Sequence, residues 1–201
     1  MKQIALAITG ASGAQYGVRL LQCLLEGGHQ VQLMVSEAAF EVIEIETELR
    51  WPRELTELQS QLDQQYQLAP GQLRIFSRQQ WLAPVASGSS PLDAMVICPC
   101  SGGTLSAISC GASNNLIERA ADVVLKERRQ LIIVPREAPY SQIHLENMLK
   151  LTKMGAVVIP ASPGFYQQPS SVQEMIDFIV ARILDQLGIA QTLLPAWDGV
   201  E

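Results

Sequence analysis

The fold is decided by the stretch Ile4-Ala5-Leu6-Ala7-Ile8-Thr9-Gly10-Ala11-Ser12-Gly13, in which an apolar strand leads directly into a turn of small residues. The same arrangement returns where the apolar run 94–98 is followed by Pro99-Cys100-Ser101-Gly102-Gly103-Thr104. A strand, a small-residue turn and a helix start together allow backbone N–H groups and hydroxyls to close on an anion. Two such turns at strand ends favour a phosphorylated ligand that lies across a crevice of an α/β sheet.

The order of apolar and amphipathic segments predicts a doubly wound sheet. We predict strands at 3–8, 30–35, 73–76, 94–98, 131–134 and 156–159, and helices at 14–27, 37–46, 54–67, 104–112, 115–128, 141–154 and 171–187. The strands are rich in Val, Ile and Leu with little alternation, which is typical of strands covered on both faces in a parallel sheet. The sequence therefore predicts an α/β fold with three layers (αβα), a Rossmann-like, mostly parallel sheet and a single domain.

Two segments fall outside this alternation. Residues 77–92 predict a long surface loop, and such loops in compact domains are often functional lids. We expect one ligand-binding domain over 1–188 and a separate C-terminal tail over 189–201. Because the tail carries Leu193, Leu194 and Trp197, we expect it to pack at a subunit contact.

The composition narrows the classes of partner. With 14 Lys and Arg against 20 Asp and Glu, the net charge of −6 offers no basic surface to nucleic acid. No apolar run approaches the ~20 residues of a membrane helix and no signal peptide is evident, so we expect a cytoplasmic protein with no membrane partner. Four scattered cysteines and two histidines predict neither a disulfide scaffold nor a metal site.

The first small-residue turn does not carry the dinucleotide fingerprint. Gly10, Gly13 and Gly17 have the spacing G-x-x-G-x-x-x-G, and the second strand ends at Ser36 where a ribose would need a carboxylate. A mononucleotide is therefore favoured over NAD. The alternative for this turn is a plain strand-to-helix connection with Ser12 as the helix N-cap. The second turn, at 99–104, is likewise either a phosphate-binding turn or a capped loop. A hydrolase nucleophile at Ser12 is disfavoured, since the G-x-S-x-G spacing is not met.

Four cations are predicted to meet on one rim of this acidic protein. Arg119 and Lys126 lie seven positions apart, on one face of a helix. Arg136 follows an apolar strand beside Glu137, with which it forms either a ligand site or a structural ion pair. Arg182 interrupts an apolar helix face, where a cation usually has an anionic partner from protein or ligand. Four cations suggest two phosphates, or one phosphate and a leaving group.

Longer motifs carry a resemblance to a known family. They are Gly-Ala-Ser-Gly at 10–13 with Tyr16 and Arg19, Pro-Cys-Ser-x-Gly-Thr at 99–104, Asn-Leu-Ile-Glu-Arg-Ala-Ala-Asp at 115–122, Leu-Lys-Glu-Arg-Arg at 125–129, Pro-Arg-Glu at 135–137, His-Leu-Glu-Asn-Met-Leu at 144–149, and Phe165-Tyr166. From residue 3 to about residue 188 the chain resembles the UbiX flavin prenyltransferases. These belong to a wider group of homo-oligomeric FMN-binding proteins that includes cysteine decarboxylases.

The resemblance implies a metal-independent prenyltransferase. Such an enzyme joins a dimethylallyl group from dimethylallyl monophosphate to N5 and then C6 of reduced FMN. The prenylated FMN would serve a UbiD-type decarboxylase, often in ubiquinone biosynthesis. The resemblance also implies a large homo-oligomer, expected to be a dodecamer, with sites at subunit contacts.

The same resemblance implies roles for individual residues. FMN would be held by Gly10, Ala11, Ser12, Ser36, Ser101, Gly102, Gly103, Thr104, Arg119 and Arg136. The substrate phosphate would be held by Lys126, Glu137, Tyr166 and Arg182, and the first three of these would act in catalysis. Glu46 would be the acid–base group serving the flavin, although Glu44 and Glu48 compete for that role. At Gly102 many relatives carry a larger residue, a departure that loosens the loop but removes no backbone donor.

The sequence leaves undecided the roles of two tryptophans and the choice between the main function and two alternatives. Trp81 and Trp197 would bind substrate by walling an allyl cation through cation–π contact, or they pack at a subunit contact. The runner-up function is an FMN-dependent decarboxylase of the same group, which would need a histidine after the second strand, where Ser36 and residues 38–40 stand. The third is a non-catalytic flavin-binding protein.

Overall fold

Six parallel strands form the central layer of the protein, whose computed structural model describes residues 1–195. The strands are β1 (Gln3–Ile8), β2 (Gln30–Val35), β3 (Leu73–Phe76), β4 (Ala94–Cys100), β5 (Gln130–Pro135) and β6 (Val157–Val158). They are hydrogen-bonded in the order β3-β2-β1-β4-β5-β6, and every neighbouring pair is parallel. The prediction of a doubly wound parallel sheet is confirmed.

Helices cover both faces of this sheet. The described residues form α1 (Ala14–Glu26), α2 (Glu37–Glu46), α3 (Leu55–Tyr66), α4 (Gly102–Ser109), α5 (Leu116–Lys126), α6 (Gln142–Lys153) and α7 (Val172–Gln186), with a short 3-10 turn at Pro84–Ala86. One core cluster joins the sheet to α1, α2, α3 and α7, and a second joins it to α4, α5, α6 and the 3-10 turn. The three-layer architecture follows from this division.

The pattern of β1 shows why its strand is buried on both sides. Ile4, Leu6 and Ile8 point into the first cluster, while Ala5 and Ala7 point into the second. All five residues are fully buried. A side-chain period of two therefore places large residues on one face and small ones on the other, so that the whole strand reads as apolar.

Several boundaries differ from the sequence prediction. β4 continues through Pro99 to Cys100 instead of ending at 98, and α4 begins at Gly102 instead of 104 because Ser101 caps it. β6 has only two residues where four were predicted. None of the helices among residues 1–195 is long and apolar enough to cross a membrane.

The loop at 77–92 was predicted to run over the surface as a lid, and this is wrong for part of it. Ala83, Val85 and Leu92 are buried in the second core cluster. Leu82 is 99% exposed, and residues 79–81, 87, 89 and 91 are exposed too, so these parts of the loop lie at the surface as predicted. In the tail, Ile189 and Leu193 pack against the first core cluster, while Trp197 lies outside the described residues.

Candidate functional site

The two small-residue turns meet at the point where the chain reverses its direction across the sheet. β1 continues to β2 on one side and β4 continues to β5 on the other, and β1 and β4 are neighbours. The loops that leave these two strands part from each other at the carboxyl edge. This topological switch point is where open α/β sheets bind ligands.

Thr9 joins the two turns. Its Oγ1 donates to the backbone oxygen of Pro99 at 2.9 Å and accepts from the backbone N–H of Ser101 at 2.8 Å. Its backbone N–H also donates to the Pro99 oxygen, at 3.2 Å. Because Thr9 is only 1% exposed, these bonds lie away from water and fix the relative position of the turns.

The start of α4 is open to a ligand. Ser101 is the N-cap, and its Oγ accepts from Thr104 N at 3.3 Å. The N–H groups of Gly102 and Gly103 come first in the helix and have no intrahelical acceptor. A Cβ at Gly103 would meet no atom within 4 Å. Two backbone donors at a helix start, with open space beside Gly103, fit a phosphate group.

The start of α1 is already occupied by a carboxylate of the same chain. Glu46 Oε2 accepts from Gly13 N at 2.8 Å and from Ala14 N at 3.0 Å. The N-cap residue is Gly13, with φ of 99°, so the alternative in which Ser12 caps this helix is wrong. The two turns are therefore not equivalent: the first has its amides satisfied by Glu46, and the second leaves its amides available.

Among the three competing carboxylates, only Glu46 is directed into the crevice. Glu44 lies on the surface with Arg50, 3.9 Å from it, and Glu48 is exposed. Gln15 Nε2 also donates to the backbone oxygen of Glu46, at 2.9 Å, which fixes the end of α2 against the start of α1. This geometry favours Glu46 as the acid–base group, and that role stays a prediction.

Residues from β2 and β5 complete the same edge. Ser36 caps α2 by accepting from Ala39 N at 3.1 Å, and Arg136 Nε donates to the backbone oxygen of Ser12 at 3.2 Å. A Cβ at Gly10 would lie 2.4 Å from the Ala38 Cβ, so only glycine lets the first turn approach α2 this closely. The residues predicted to hold FMN, Arg119 excepted, thus lie at the carboxyl ends of four adjacent strands.

Tyr16 also lies among these residues, although its sequence motif predicted no role for it. Burial raises the pKa of its phenol, the neighbouring Cys98 and Glu46 raise it further, and Arg136 lowers it. The ring also lies beside Gly13, where a Cβ would come within 2.8 Å of it. Tyr16 therefore stays protonated at neutral pH and offers a hydroxyl donor close to the first turn.

Glu137 and His144 flank the open start of α4. A Cβ at Gly102 would lie 2.9 Å from His144 Nε2 and 3.9 Å from Glu137 Oε2. His144 Nδ1 accepts from Ser141 N at 3.2 Å in a capping box, so Nε2 carries the proton in the neutral ring. Within residues 1–195, Glu137 forms no ion pair with Arg136, and that structural alternative is wrong.

Lys126 does not lie on the same rim within one protomer. It ends α5 and precedes β5, whereas Glu137 follows β5, so the length of that six-residue strand, about 20 Å, separates them. Lys126 pairs with its neighbour Glu127. The prediction that four cations converge on one rim is therefore wrong for a single chain.

Arg119 also has partners within the chain. Its Nε donates to the Ala86 oxygen at 3.2 Å and its Nη1 to Asp122 at 2.9 Å. Leu116 N donates to the Arg78 oxygen at 2.7 Å, and Arg129 Nη2 to the Gly88 oxygen at 2.7 Å. Two bonds from α5 and one from Arg129, in the turn after it, thus hold the 77–92 loop, and Arg119 is one of the residues that make them.

Tyr166 and Arg182 line one pocket of about 770 Å³, together with Phe178 and Leu194. Arg182 Nη1 pairs with Asp185 Oδ2 at 2.9 Å, which is the anionic partner expected for a cation on that helix face. Trp81 is 45% exposed on the 77–92 loop. The predicted wall by Trp197 falls outside the described residues.

Comparison with known proteins identifies the family of this chain. Residues 1–184 match the family model described as Flavoprotein. The flavin prenyltransferase UbiX of Pseudomonas aeruginosa is 58% identical over 196 residues, which cover 98% of this chain and 94% of that protein. The chain belongs to the UbiX flavin prenyltransferases, within the Flavoprotein family.

Two solved structures resemble this UbiX family member closely. A crystal structure of AnUbiX (PadA1) in complex with FMN and dimethylallyl pyrophosphate has a TM-score of 0.88 and 38% identity, covering 100% of this chain and 99% of that one. A dodecameric FMN-dependent Ubix-like decarboxylase from Escherichia coli O157:H7 has a TM-score of 0.85 and 39% identity, covering 98% and 100%. The recognition made from motifs is confirmed.

The cysteines of this UbiX-type chain do not contribute nucleophiles to the crevice. Cys98 and Cys100 are buried, and burial raises the pKa of both thiols far above its usual range. They stay protonated at neutral pH and act as small apolar side chains. Within residues 1–195, there is no group of three His, Cys, Asp or Glu residues that could hold a metal ion.

Proposed function

We propose that this protein transfers the dimethylallyl group of dimethylallyl monophosphate to N5 and then C6 of reduced FMN, without a metal. The observation that carries the proposal is the open start of α4 at the switch point between β1 and β4. Membership of the UbiX flavin prenyltransferases supports it, as does the complex of AnUbiX with FMN and dimethylallyl pyrophosphate.

The chain's own groups would hold the FMN phosphate at α4. Gly102 N and Gly103 N would donate to its oxygens, and the hydroxyls of Ser101 and Thr104 lie beside these N–H groups. Arg136, held on the Ser12 carbonyl, adds a cation at the same edge. Bound reduced FMN supplies the nucleophilic N5 and C6 atoms.

The departing phosphate would be met by cations and a phenol. When the allylic C–O bond breaks, the phosphate leaves with the bonding electron pair, and groups aimed at that charge stabilise the transition state. Tyr166 and Arg182 line a common pocket and suit this role. The Glu46 carboxylate, at the first turn, would take up and return the flavin proton.

The complete site would need more than one copy of the chain. Lys126 lies a strand's length from Glu137 in one protomer, so a second copy has to bring its Lys126 to the crevice if both residues act together. Apolar side chains exposed on α6, namely Ile143, Leu145 and Leu149, suit a subunit contact. We propose a dodecamer, as described for the similar Escherichia coli protein.

The recipient of the product belongs to the same proposal. A prenylated flavin that leaves this site would serve a UbiD-type decarboxylase, in ubiquinone biosynthesis and in the cytoplasm. This part rests on the family resemblance alone. The test is to add the released flavin product to an apo-decarboxylase of the UbiD type. A gain of decarboxylase activity would support this recipient, and no gain would contradict it.

The central experiment measures the mass of the flavin by mass spectrometry. The protein is incubated with dithionite-reduced FMN and dimethylallyl monophosphate, without oxygen and with a chelator present. We expect the flavin mass to rise by one five-carbon unit. An unchanged mass would overturn the transferase function.

Variants separate the two phosphate sites. Glu137→Gln and Lys126→Met should abolish the mass gain and leave FMN binding intact. If FMN is lost instead, the two residues belong to the FMN site.

A second candidate function is oxidative decarboxylation, because a similar solved structure is described as a Ubix-like decarboxylase. It is disfavoured because Ser36 caps α2 and Phe40 is buried where that chemistry would need a histidine.

A further inference from the structure

Asp185 connects the C-terminal tail to the cation predicted to meet the substrate phosphate. Its Oδ2 accepts from Arg182 Nη1 at 2.9 Å, one turn earlier on α7. Its Oδ1 accepts from Gln191 Nε2 at 3.3 Å. One carboxylate therefore holds a guanidinium with one oxygen and the tail with the other.

Gln191 fixes the described part of the tail. Besides its bond to Asp185, Nε2 donates to the Leu194 oxygen at 3.0 Å, and Oε1 accepts from Leu194 N at 2.9 Å. Both ends of the amide are thus engaged with a single residue of the tail. Gln167 Nε2 donates to the Pro195 oxygen at 3.4 Å, which brings the tail to the loop that carries Tyr166.

These contacts enclose the pocket that contains Tyr166 and Arg182. Leu194 and Phe178 give it apolar walls, and Arg182 gives it a cation that is paired with Asp185, which also lines the pocket. A ligand with a short apolar chain and an anionic head fits such a lining. The tail is therefore a wall of this pocket, and Gln191 is the residue that holds the wall in place.

We propose that Asp185 and Gln191 are positioning residues for the prenyl donor, an inference that rests on the proposed function. Among residues 1–195, Asp185 accepts from one of the five guanidinium N–H groups of Arg182, which leaves the others for a phosphate. A long side chain fixed in this way loses less rotamer freedom when the ligand binds. Gln191 transmits the same constraint to the tail.

The experiment compares Asp185→Asn and Gln191→Ala with two matched controls. Gln173→Ala removes a similar glutamine-to-aspartate bond on α7, where Gln173 Nε2 donates to Asp177 at 2.9 Å, and Asp177 also pairs with Arg19. Glu41→Gln removes a carboxylate paired with Arg53 on α2, at the surface. Neither control lies in the pocket.

We expect each test variant to raise the KM for dimethylallyl monophosphate by about three- to tenfold, the effect of freeing one long side chain. The kcat and the FMN affinity should stay unchanged, and the double variant should be no worse than the more affected single variant. Inorganic phosphate binding, measured by calorimetry, should weaken by a similar factor. The controls should match the wild type.

A second measurement does not need prenyl transfer. Hydrogen exchange at residues 189–195 should speed up in both variants and in neither control. If the wild type transfers no prenyl group, the proposed function fails while this measurement still tests the tether. The positioning role would be overturned if the hydrogen-exchange rate of residues 189–195 is unchanged and neither the KM nor the dissociation constant for inorganic phosphate rises.

Discussion

Thr9 Oγ1 accepts the Ser101 N–H at 2.8 Å across the boundary between β1 and β4. The two residues are far apart in sequence, and their bond brings the two small-residue turns together at the switch point. The same hydroxyl donates to the Pro99 oxygen, so its hydrogen-bonding capacity is used on both sides. The crevice therefore has a fixed width before any ligand enters it.

Thr9→Val should destabilise the protein and weaken FMN binding. Valine keeps the shape but leaves the Ser101 N–H without its acceptor in a buried place, a loss of about 1–3 kcal/mol. Urea unfolding would measure the stability, and fluorescence titration the FMN affinity. Thr9→Ser keeps the hydroxyl and should stay within about 1 kcal/mol of the wild type. Equal stability of the valine and wild-type proteins would contradict this account.

Glu46→Gln should separate helix capping from acid–base chemistry. Glutamine retains an oxygen that accepts from Gly13 N or Ala14 N, so the free energy of unfolding should fall by no more than about 1 kcal/mol. An amide cannot exchange a proton, so prenyl transfer should fall by about 10²-fold or more. Thermal unfolding and flavin mass spectrometry give the two readouts. Glu44→Gln is the control, and an equal loss of activity there would show that the wrong carboxylate was chosen.

Most of the fold could be predicted because its signals are local. The apolar runs located all six strands, and the alternation of strands with helices indicated the parallel sheet. The ends of elements were less accurate, as at α4, where Ser101 begins the helix two residues earlier than its apolar pattern indicates. A cap depends on one side-chain bond, which periodicity does not register.

The site was only partly predictable because its decisive contacts are long-range. Nothing in the spacing of Gly13 and Glu46 indicates that they touch, although their bond decides which turn stays open. Lys126 is different. It precedes β5 and Glu137 follows it, so their separation could have been inferred from the predicted strand alone. Thr9 also had a signal, a hydroxyl at the end of an apolar run.

Gly17→Ala should be strongly destabilising although alanine favours helices. A Cβ at this position would lie 2.3 Å from the backbone oxygen of Cys98, which cannot move without disturbing β4. The overlap should cost about 1–3 kcal/mol or more, against a gain of about 1 kcal/mol in helix propensity. Gly103→Ala, where the Cβ meets open space, is the matched control for denaturant unfolding. A Gly17→Ala protein as stable as that control would contradict the close approach of α1 to β4.

Alkylation should distinguish the two buried cysteines from the exposed one. Burial raises the pKa of Cys98 and Cys100 and shields them, so iodoacetamide should leave both unmodified in the native protein. Cys110 is exposed and should react first. Mass spectrometry of peptides, with and without denaturant, measures the order. Rapid native labelling of Cys98 or Cys100 would mean that the β4 end opens to solvent.

His29 should make the stability of the protein depend on pH. Its Nδ1 accepts from Lys2 N at 3.1 Å, and burial, the N-terminal amine and Lys2 lower its pKa from 6.5. Between the lowered and the ordinary pKa the unfolded chain binds more protons, so stability rises with pH there. The stability that depends on neutral His29 is therefore fully present above pH 6.5, the ordinary pKa, and is lost as the pH falls toward the lowered pKa of the folded state. His29→Gln keeps an acceptor and does not titrate, so its Tm should fall less than that of the wild type on acidification through this window. Parallel Tm curves for the two proteins would show that His29 does not contribute.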